Sequence, residues 1–139
     1  MIFLKIRPFS KERPRVTRRG TFMTGKYSER KRLLTALYLA SEYRNIDFKG
    51  KPIHLELIFC FKVPKSWTKK MKAAPDHRRI VHDIDNLSGG VMDALNGIAW
   101  KDDKDIVSLT AEKRYCEEDG IIIQIKEKEN DQKENEKRN

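Results

Sequence analysis

The chain has 139 residues, of which 38% are hydrophobic and 37% are charged, and its formal net charge is +9. This size suits one domain, and the apolar content is too high for a disordered chain. No apolar run is long enough to span a membrane, and the N-terminus is too short and too basic for a signal peptide. The positive charge fits a polyanionic partner such as nucleic acid, although a merely soluble surface would show it too.

The N-terminal third predicts a strand, a basic stretch and a helix. Residues 2–6 alternate like a strand, which Pro8 ends or places at a sheet edge. Residues 11–32 are strongly basic, and two glycines within them indicate a loop or short hairpin. We expect the arginines of this stretch to contact phosphate groups and its aromatic residues to pack on the core. The apolar periodicity of residues 28–44 predicts a helix.

The rest of the chain predicts three strands, a second basic stretch and a second main helix. Residues 53–63 form the clearest strand, and both of its faces become apolar, as expected of a central strand. Residues 64–79 form the basic stretch, with a short helix and an exposed loop. Residues 105–114 and 121–125 predict two further strands, expected to pair antiparallel with each other. The predicted fold over residues 1–126 is a single α+β domain, in which a mixed sheet of about four strands packs on two main helices.

The C-terminus and the cysteines carry less information. Residues 127–139 contain no apolar residue and are expected to form a disordered, charged tail. Cys60 and Cys116 do not form a CxxC pair, and the three histidines lack zinc-site spacing. We therefore expect two reduced thiols in a cytoplasmic protein.

Aspartates in residues 82–105 run against the basic character of the chain. Asp83 and Asp85 are two residues apart, a spacing that places both side chains on one face of an extended segment. Two carboxylates on one face repel each other unless a cation lies between them, and Mg²⁺ prefers such oxygen ligands. A helix is predicted next, and the turn after it could return Asp102 and Asp103 towards the first pair.

Each of these aspartates also has a purely structural explanation. Acidic residues before a helix commonly cap it, and Asp85 or Asn86 could cap the predicted helix, with Gly97 just past its end. An Asp-Asp pair in a turn commonly stabilises that turn. For any single aspartate we favour the structural explanation, whereas for the whole set in a basic chain we favour a metal site.

The same stretch carries a resemblance to a known family. Its motifs, together with two motifs nearer the N-terminus, resemble the RusA family of Holliday-junction resolvases, and the resemblance covers most of residues 1–126. The motifs are KERPR (residues 11–15), FKVPKSW (61–67), DIDNL (83–87), DALNG (93–97) and WKDD (100–103).

The resemblance implies a homodimeric endodeoxyribonuclease that resolves four-way DNA junctions in recombination and repair by paired nicking. It implies Mg²⁺ as cofactor, with Mn²⁺ as a substitute, and products with 5′-phosphate and 3′-hydroxyl ends. Asp83, Asp85 and Asp103 would be catalytic metal ligands, and Asp102 a further ligand or a supporting group. A bacterial or phage origin, and hence a cytoplasmic location, follows from the family. The residues expected to bind DNA are Lys11, Arg13, Arg15, Arg18, Arg19, Lys69, Lys70, Arg78 and Arg79.

One position departs from the family pattern. The family has a catalytically important lysine four residues after the second aspartate of DxD, where this chain has Gly89. Either Lys101 or Lys104 has taken over that role, or the chain cuts slowly or only binds junctions. If it cuts slowly, Gly89→Lys should raise the cutting rate at least tenfold and also stabilise the helix. A nuclease for other branched DNA is the remaining hypothesis.

Overall fold

A computed structural model describes residues 1–12, 15–22 and 25–128 of the protein. Short 3₁₀ helices lie at Glu42–Asn45, His77–Arg79 and Asp103–Asp105. The predicted single α+β domain is confirmed. Its strands and α-helices are, in chain order, β1 (Ile2–Leu4), β2 (Arg15–Thr17), β3 (Gly20–Phe22), α1 (Gly25–Leu39), β4 (Ile53–Lys62), α2 (Lys69–Ala73), α3 (Ile84–Leu95), β5 (Ile106–Cys116) and β6 (Gly120–Glu127).

The last strand extends slightly further than the sequence predicts. β6 ends at Glu127, and the backbone N–H of Lys128 donates to the carbonyl oxygen of Pro52 at 2.8 Å. The first two residues of the expected tail therefore belong to the folded domain. The remainder of that tail, residues 129–139, lies outside the described residues.

The main sheet has four strands in the order β1-β6-β4-β5, and β2 pairs with β3 in a separate hairpin. β4 is parallel to β5 and antiparallel to β6, while β1 is antiparallel to β6. The predictions of a mixed four-stranded sheet and of a central β4 are confirmed. A hairpin is thus present in the first basic stretch, but its turn is at Arg18 and Arg19 and not between Gly20 and Gly25, where the sequence predicted a loop or short hairpin. Residues 23 and 24 of that predicted loop lie outside the described residues.

The predicted pairing of β5 with β6 is wrong, because β4 lies between these two strands. The connection between β5 and β6 instead crosses the end of β4. Asp119 in this connection accepts a hydrogen bond from the backbone N–H of Lys62, the last residue of β4, at 2.8 Å. A short connection after a strand ordinarily indicates a hairpin, and the sequence contains nothing that indicates an inserted strand.

β4, α3 and β5 form a crossover between parallel strands. Because β4 and β5 run in the same direction, the chain must return along the sheet between them, and α3 makes most of this return. Lys113 of β5 holds the beginning of the return, since its ammonium group donates to the carbonyl oxygens of Ile80 and His82, each at 2.9 Å. The residues before α3 therefore lie at the C-terminal end of β4 and β5, and the residues after α3 lie at the opposite end.

The core lies between the sheet and the two longer helices. Alternate residues of β4 are fully buried, and they belong to the same cluster as side chains from β6, α1 and α3. This packing holds α3, and with it the predicted metal ligands, against the sheet. The fully buried members include Leu34, Leu55, Leu57, Phe59, Leu87, Leu95, Ile121 and Ile123.

Gly89 and Gly90 lie inside α3, where the N-terminal segment crosses this helix. A Cβ atom at Gly90 would lie 3.1 Å from the carbonyl oxygen of Phe9, and one at Gly89 would lie 3.2 Å from Cδ of Lys11. The backbone N–H of Lys11 donates to the carbonyl oxygen of Asn86 at 2.8 Å. The two glycines, unfavourable in a helix by propensity, permit this close approach.

Cys60 in β4 and Cys116 in β5 are joined by a disulfide, with their Cα atoms 5.3 Å apart. The expectation of two reduced thiols is therefore wrong. In the register of the two strands, Cys116 lies opposite Lys62, two residues beyond Cys60. The sequence does not indicate the pairing, because nothing in it shows that β4 and β5 are neighbours.

Candidate metal and DNA-binding site

Asp83 and Asp85 lie at the N-terminus of α3. Asp83 is the N-cap residue but makes no side-chain capping hydrogen bond, and Asp85 lies in the first turn. The expected capping by Asp85 or Asn86, and the extended geometry that would align both carboxylates, are therefore wrong. Both side chains are exposed, and neither has a hydrogen bond or ion pair with another described residue. Two carboxylates at a helix N-terminus gain from its positive dipole end while staying free to bind a cation.

The second acidic group surrounds the 3₁₀ helix before β5, and its members differ in their partners. Asp102 accepts a hydrogen bond from the backbone N–H of Lys104 at 3.0 Å, which is the structural role considered for it. Asp103 accepts one from the indole N–H of the buried Trp100 at 2.8 Å, which orients its carboxylate. Asp105 has a buried Oδ2 atom without a hydrogen-bond partner among the described residues. Asp105 is a candidate ligand that sequence reasoning did not select.

The two acidic groups lie at opposite ends of α3. Asp83 precedes this helix and Asp103 follows it, and a helix of 12 residues is roughly 18 Å long. Among the described residues, no three His, Cys, Asp or Glu side chains are grouped closely enough to hold a metal ion. The oxygen donors suit Mg²⁺ in kind, but Asp83, Asp85 and Asp103 do not form one metal-binding group within the described part of the chain.

Lys11 occupies the space beside Gly89, where the family has its lysine. Its Cβ and Cδ atoms lie 3.4 and 3.2 Å from the position that a Cβ of residue 89 would take. Lys101 and Lys104, the replacements considered from the sequence, are exposed and lie beyond the other end of α3. Sequence reasoning did not consider Lys11 as a candidate replacement, because 78 positions of sequence separate it from Gly89.

Asp93 is a structural carboxylate that joins α3 to α1. It accepts hydrogen bonds from the Tyr27 hydroxyl at 2.8 Å and from the Lys31 ammonium group at 3.2 Å. Burial raises the pKa of Asp93, but these two hydrogen bonds and the charges of Lys31 and Lys11 outweigh burial and hold it below its usual value. Burial and the bond to Asp93 raise the pKa of Tyr27. Tyr27 thus packs in the core, as expected.

The residues expected to bind DNA are spread over three surface regions. Lys11 lies beside α3, Arg18 and Arg19 form the hairpin turn, and the others belong to α2 and the following 3₁₀ helix. Arg78 has a local partner, since it forms an ion pair with Asp76 at 2.9 Å that lowers the pKa of Asp76 to about 2. Arg13 lies outside the described residues, and Arg15 lies in β2. The exposed members are Lys11, Arg18, Arg19, Lys69, Lys70, Arg78 and Arg79.

His82 directly precedes Asp83 and connects it to the sheet. Its ring stacks on Phe61 with centroids 5.6 Å apart, and its Nδ1 atom is hydrogen-bonded to the Ser10 hydroxyl at 2.6 Å. Burial, followed by the nearby positive charges of Arg7, Arg30 and Lys113, lowers the pKa of His82. These contacts fix the backbone immediately before the predicted metal ligands.

Comparisons with known proteins agree with the resemblance noted in the sequence. Residues 5–126 match the family described as "Endodeoxyribonuclease RusA". The chain is also similar to the uncharacterized protein YqaN of Bacillus subtilis strain 168, with 34% identity over 95 residues that make up 64% of this chain and 67% of that protein. No helix among the described residues is long and apolar enough to cross a membrane.

The match over residues 5–126 indicates that the chain is an endodeoxyribonuclease in class, and the basic α+β domain with free carboxylates at a helix N-terminus is consistent with that class. It belongs to the RusA family, a family of metal-dependent nucleases that resolve Holliday junctions.

Proposed function

We propose that this protein is a Mg²⁺-dependent endodeoxyribonuclease that resolves four-way DNA junctions by paired nicking, with Mn²⁺ able to replace Mg²⁺. The observation that carries the proposal is the state of Asp83 and Asp85. Both belong to the family motif, and both carboxylates lack a partner among the described residues although the chain is rich in cations. A bacterial or phage-encoded cytoplasmic protein would fit this activity.

We propose that a homodimer completes each metal site, with Asp83 and Asp85 from one subunit and Asp103 from the other. The separation of these residues along α3 supports an arrangement between chains. Asp103 begins the 3₁₀ helix that directly precedes β5, an edge strand on which Val107 and Leu109 are 55% and 43% exposed. A second copy that covered this edge would bring two acidic groups from different chains towards each other. A two-fold dimer also matches the two symmetry-related bonds cut in a four-way junction.

The residues of the chain have separate tasks in this proposal. Asp83 and Asp85 would hold the cation at a helix N-terminus, and Trp100 orients the carboxylate of Asp103. A Mg²⁺ ion held there would supply Lewis-acid polarisation of the scissile phosphate and a lower pKa for an attacking water. The exposed lysines and arginines bind the sugar–phosphate backbone and position the bond to be cut. The products would carry 5′-phosphate and 3′-hydroxyl ends.

Subunit complementation tests the proposal. Asp83→Asn and Asp103→Asn homodimers should each fail to cut a labelled four-way junction while still binding it. A heterodimer of the two variants, purified through two different affinity tags, keeps one intact site if the ligands come from different chains. It should therefore nick the junction and bind half the Mn²⁺ of the wild-type dimer, measured by electron paramagnetic resonance.

Two other outcomes would contradict the shared site or the metal ligands. A heterodimer that neither nicks nor binds Mn²⁺ beside an active wild-type dimer would show that each site comes from one chain. Normal cutting by Asp83→Asn homodimers would contradict the metal assignment itself.

A second candidate function is a junction-binding protein that no longer cuts. The observation that favours it is Gly89 in place of the family lysine. Incubation with Mg²⁺ and a labelled four-way junction, a flapped substrate or a linear duplex separates the hypotheses. Cutting of the four-way junction supports the resolvase, binding without cutting supports the second candidate, and preference for the flap indicates a nuclease for other branched DNA.

A further inference from the structure

A cavity of about 410 Å³ lies at the C-terminal end of β4 and β5, beside the segment that leads into Asp83. Its volume falls within the ordinary range of ligand sites, roughly 300–1,000 Å³. His82, one of its lining residues, is the immediate neighbour of Asp83. The side chains that matter are Arg7, Phe61, Trp67, Arg79, His82 and Tyr115.

Aromatic rings from separate parts of the chain form two sides of this cavity. Trp67, from the loop before α2, meets Tyr115 of β5 edge-to-face, with ring centroids 4.8 Å apart. Phe61 of β4 is stacked on His82, with ring planes 21° apart. Phe61 is buried in the core, but Trp67 and Tyr115 are only partly buried. Trp67 and Tyr115 therefore offer ring surface to a ligand, whereas Phe61 and His82 mainly complete the wall.

Two arginines supply positive charge at the same cavity. Arg79 lies over the Trp67 ring, with its Cζ atom 6.0 Å from the ring centroid. Arg7 reaches the cavity from the N-terminal segment, and its charge acts on His82. Both arginines are exposed, and neither forms a salt bridge with a described residue. Unpaired guanidinium groups beside aromatic rings suit a ligand that is both flat and anionic.

A nucleotide is both flat and anionic, because it has a base and a phosphate. The nucleotide must be unstacked, since a base within a duplex does not expose its face. Aromatic rings bind unstacked bases through their π-faces, while arginines bind the adjoining phosphates. A free phosphate would use the arginines and leave the rings without a role. An apolar ligand would leave the two guanidinium groups unpaired.

We propose that this cavity receives one unstacked nucleotide of the branched DNA, with its base against Trp67 and Tyr115 and its phosphate on Arg7 and Arg79. The proposal rests on the proposed function, because the nucleotide would belong to the junction that is cut. Because His82 lines the cavity and is the chain neighbour of Asp83, the bound base would lie close to Asp83. Occupation of the cavity would then require an unpaired base, as found at a branch point. Selectivity for a junction over a duplex would then arise at this cavity.

Binding of a short oligonucleotide without divalent metal tests the proposal. The probes are fluorescein-labelled single-stranded tetradeoxythymidylate and an abasic strand with the same number of phosphates, followed by fluorescence anisotropy. The strand with bases should bind at least tenfold more tightly than the abasic strand. It should also quench tryptophan emission through Trp67, because Trp100, the other tryptophan, is fully buried.

Substitutions then locate the preference for bases. Tyr115→Ala and, separately, Trp67→Leu should reduce the tenfold preference to at most twofold while leaving the melting temperature within a few degrees. Phe3→Ala is the matched control, since Phe3 is an exposed ring on the opposite face of β1 from its buried neighbours, and the preference should survive. Equal affinity for both probes, or an unchanged preference in the folded Trp67→Leu protein, would overturn the proposal.

This experiment separates the cavity from the cutting reaction. A protein that cuts four-way junctions but shows no preference for bases overturns the nucleotide cavity alone. A protein that prefers bases through Trp67 and Tyr115 but never cuts a junction supports the cavity and contradicts the resolvase.

Discussion

Asp83 and Asp102 are both aspartates at the start of a helical segment, yet the structure uses them differently. Asp102 accepts a hydrogen bond from the backbone of its own turn, whereas Asp83 makes no capping bond. Local sequence cannot separate the two cases, because both aspartates satisfy the same capping pattern. A carboxylate at an N-cap position that leaves the cap unmade is the better functional candidate.

Lys11 is the residue that we expect to replace the missing family lysine. In single-turnover cutting, Lys11→Ala should lower the rate by on the order of 10²-fold, because it removes the cation beside Gly89. Gly89→Lys in the Lys11→Ala background should restore most of the rate. Gly89→Lys alone should change the rate little, and not raise it tenfold as expected from the sequence for a slow enzyme, since the Lys11 side chain already occupies that space.

The variants Lys101→Ala and Lys104→Ala are the matched controls for this exchange, since both lysines are exposed. Loss of cutting in either variant, together with normal cutting by Lys11→Ala, would show that Lys101 or Lys104, beyond the other end of α3, replaces the family lysine.

Asp93 should make the free energy of unfolding of the protein depend on pH in the acidic range. Its pKa is lowered in the folded state, so its contribution is complete above the unfolded value of about 3.9 and is lost as the pH falls through the lower folded value. Asp93→Asn should therefore cost about 1–2 kcal/mol at pH 7. The difference from wild type should shrink as the pH falls below about 4. Chemical denaturation across this range checks the prediction, and a difference that grew as the pH fell would contradict it.

At the level of elements, alternation and periodicity predicted most strands and both main helices. β4 was predicted closely because its alternate residues are all apolar and its partners cover both edges. The prediction that β5 pairs with β6 was wrong, because hydrophobic patterning shows which face of a strand is buried and not which strand lies beside it. The hydrogen bond between Lys62 and Asp119, which marks the crossing over β4, is a contact between distant residues.

Gly89 and Gly90 should respond differently to alanine, although they are neighbours in one helix. Gly90→Ala places a methyl group 3.1 Å from the backbone oxygen of Phe9, which cannot move easily, and should destabilise the protein by about 1–3 kcal/mol. Gly89→Ala meets only the flexible side chain of Lys11 and should be neutral, or stabilising by up to about 1 kcal/mol.

Free energies of unfolding in urea check this contrast between the two glycines. Equal effects in the two variants would show that the N-terminal segment does not pack closely on α3.

At the level of the whole molecule, the disulfide joins residues that are 56 positions apart. A closed loop of this length should contribute about 2–4 kcal/mol to the free energy of unfolding, chiefly by restricting the unfolded chain. Dithiothreitol should therefore lower the melting temperature of the wild-type protein. The double variant Cys60→Ser and Cys116→Ser should melt at the lower temperature with or without reductant. A wild-type melting temperature that did not change on reduction would argue against the bond in solution.

The candidate site could be predicted only in part from the sequence, because residues far apart in the chain come together only in the folded protein. The acidic motif located Asp83 and Asp85, and the basic stretches located most exposed cations. The position of Asp103 at the far end of α3 depends on the crossover, and the approach of Lys11 to Gly89 depends on the path of the N-terminal segment. The Trp67–Tyr115 cavity joins two segments that are 48 positions apart and share no motif.

The insertion of β4 between β5 and β6 has a consequence for synthesis of the protein in the cell. β4 emerges from the ribosome well before its two sheet neighbours, β5 and β6, which are the last strands of the described part of the chain. The central strand therefore has exposed edges until β5 and β6 have left the exit tunnel, and β5 and β6 must not pair with each other in the meantime. We expect this domain to fold in one late step, once β6 has left the exit tunnel, and nascent chains that end before β6 to require chaperones to remain in solution.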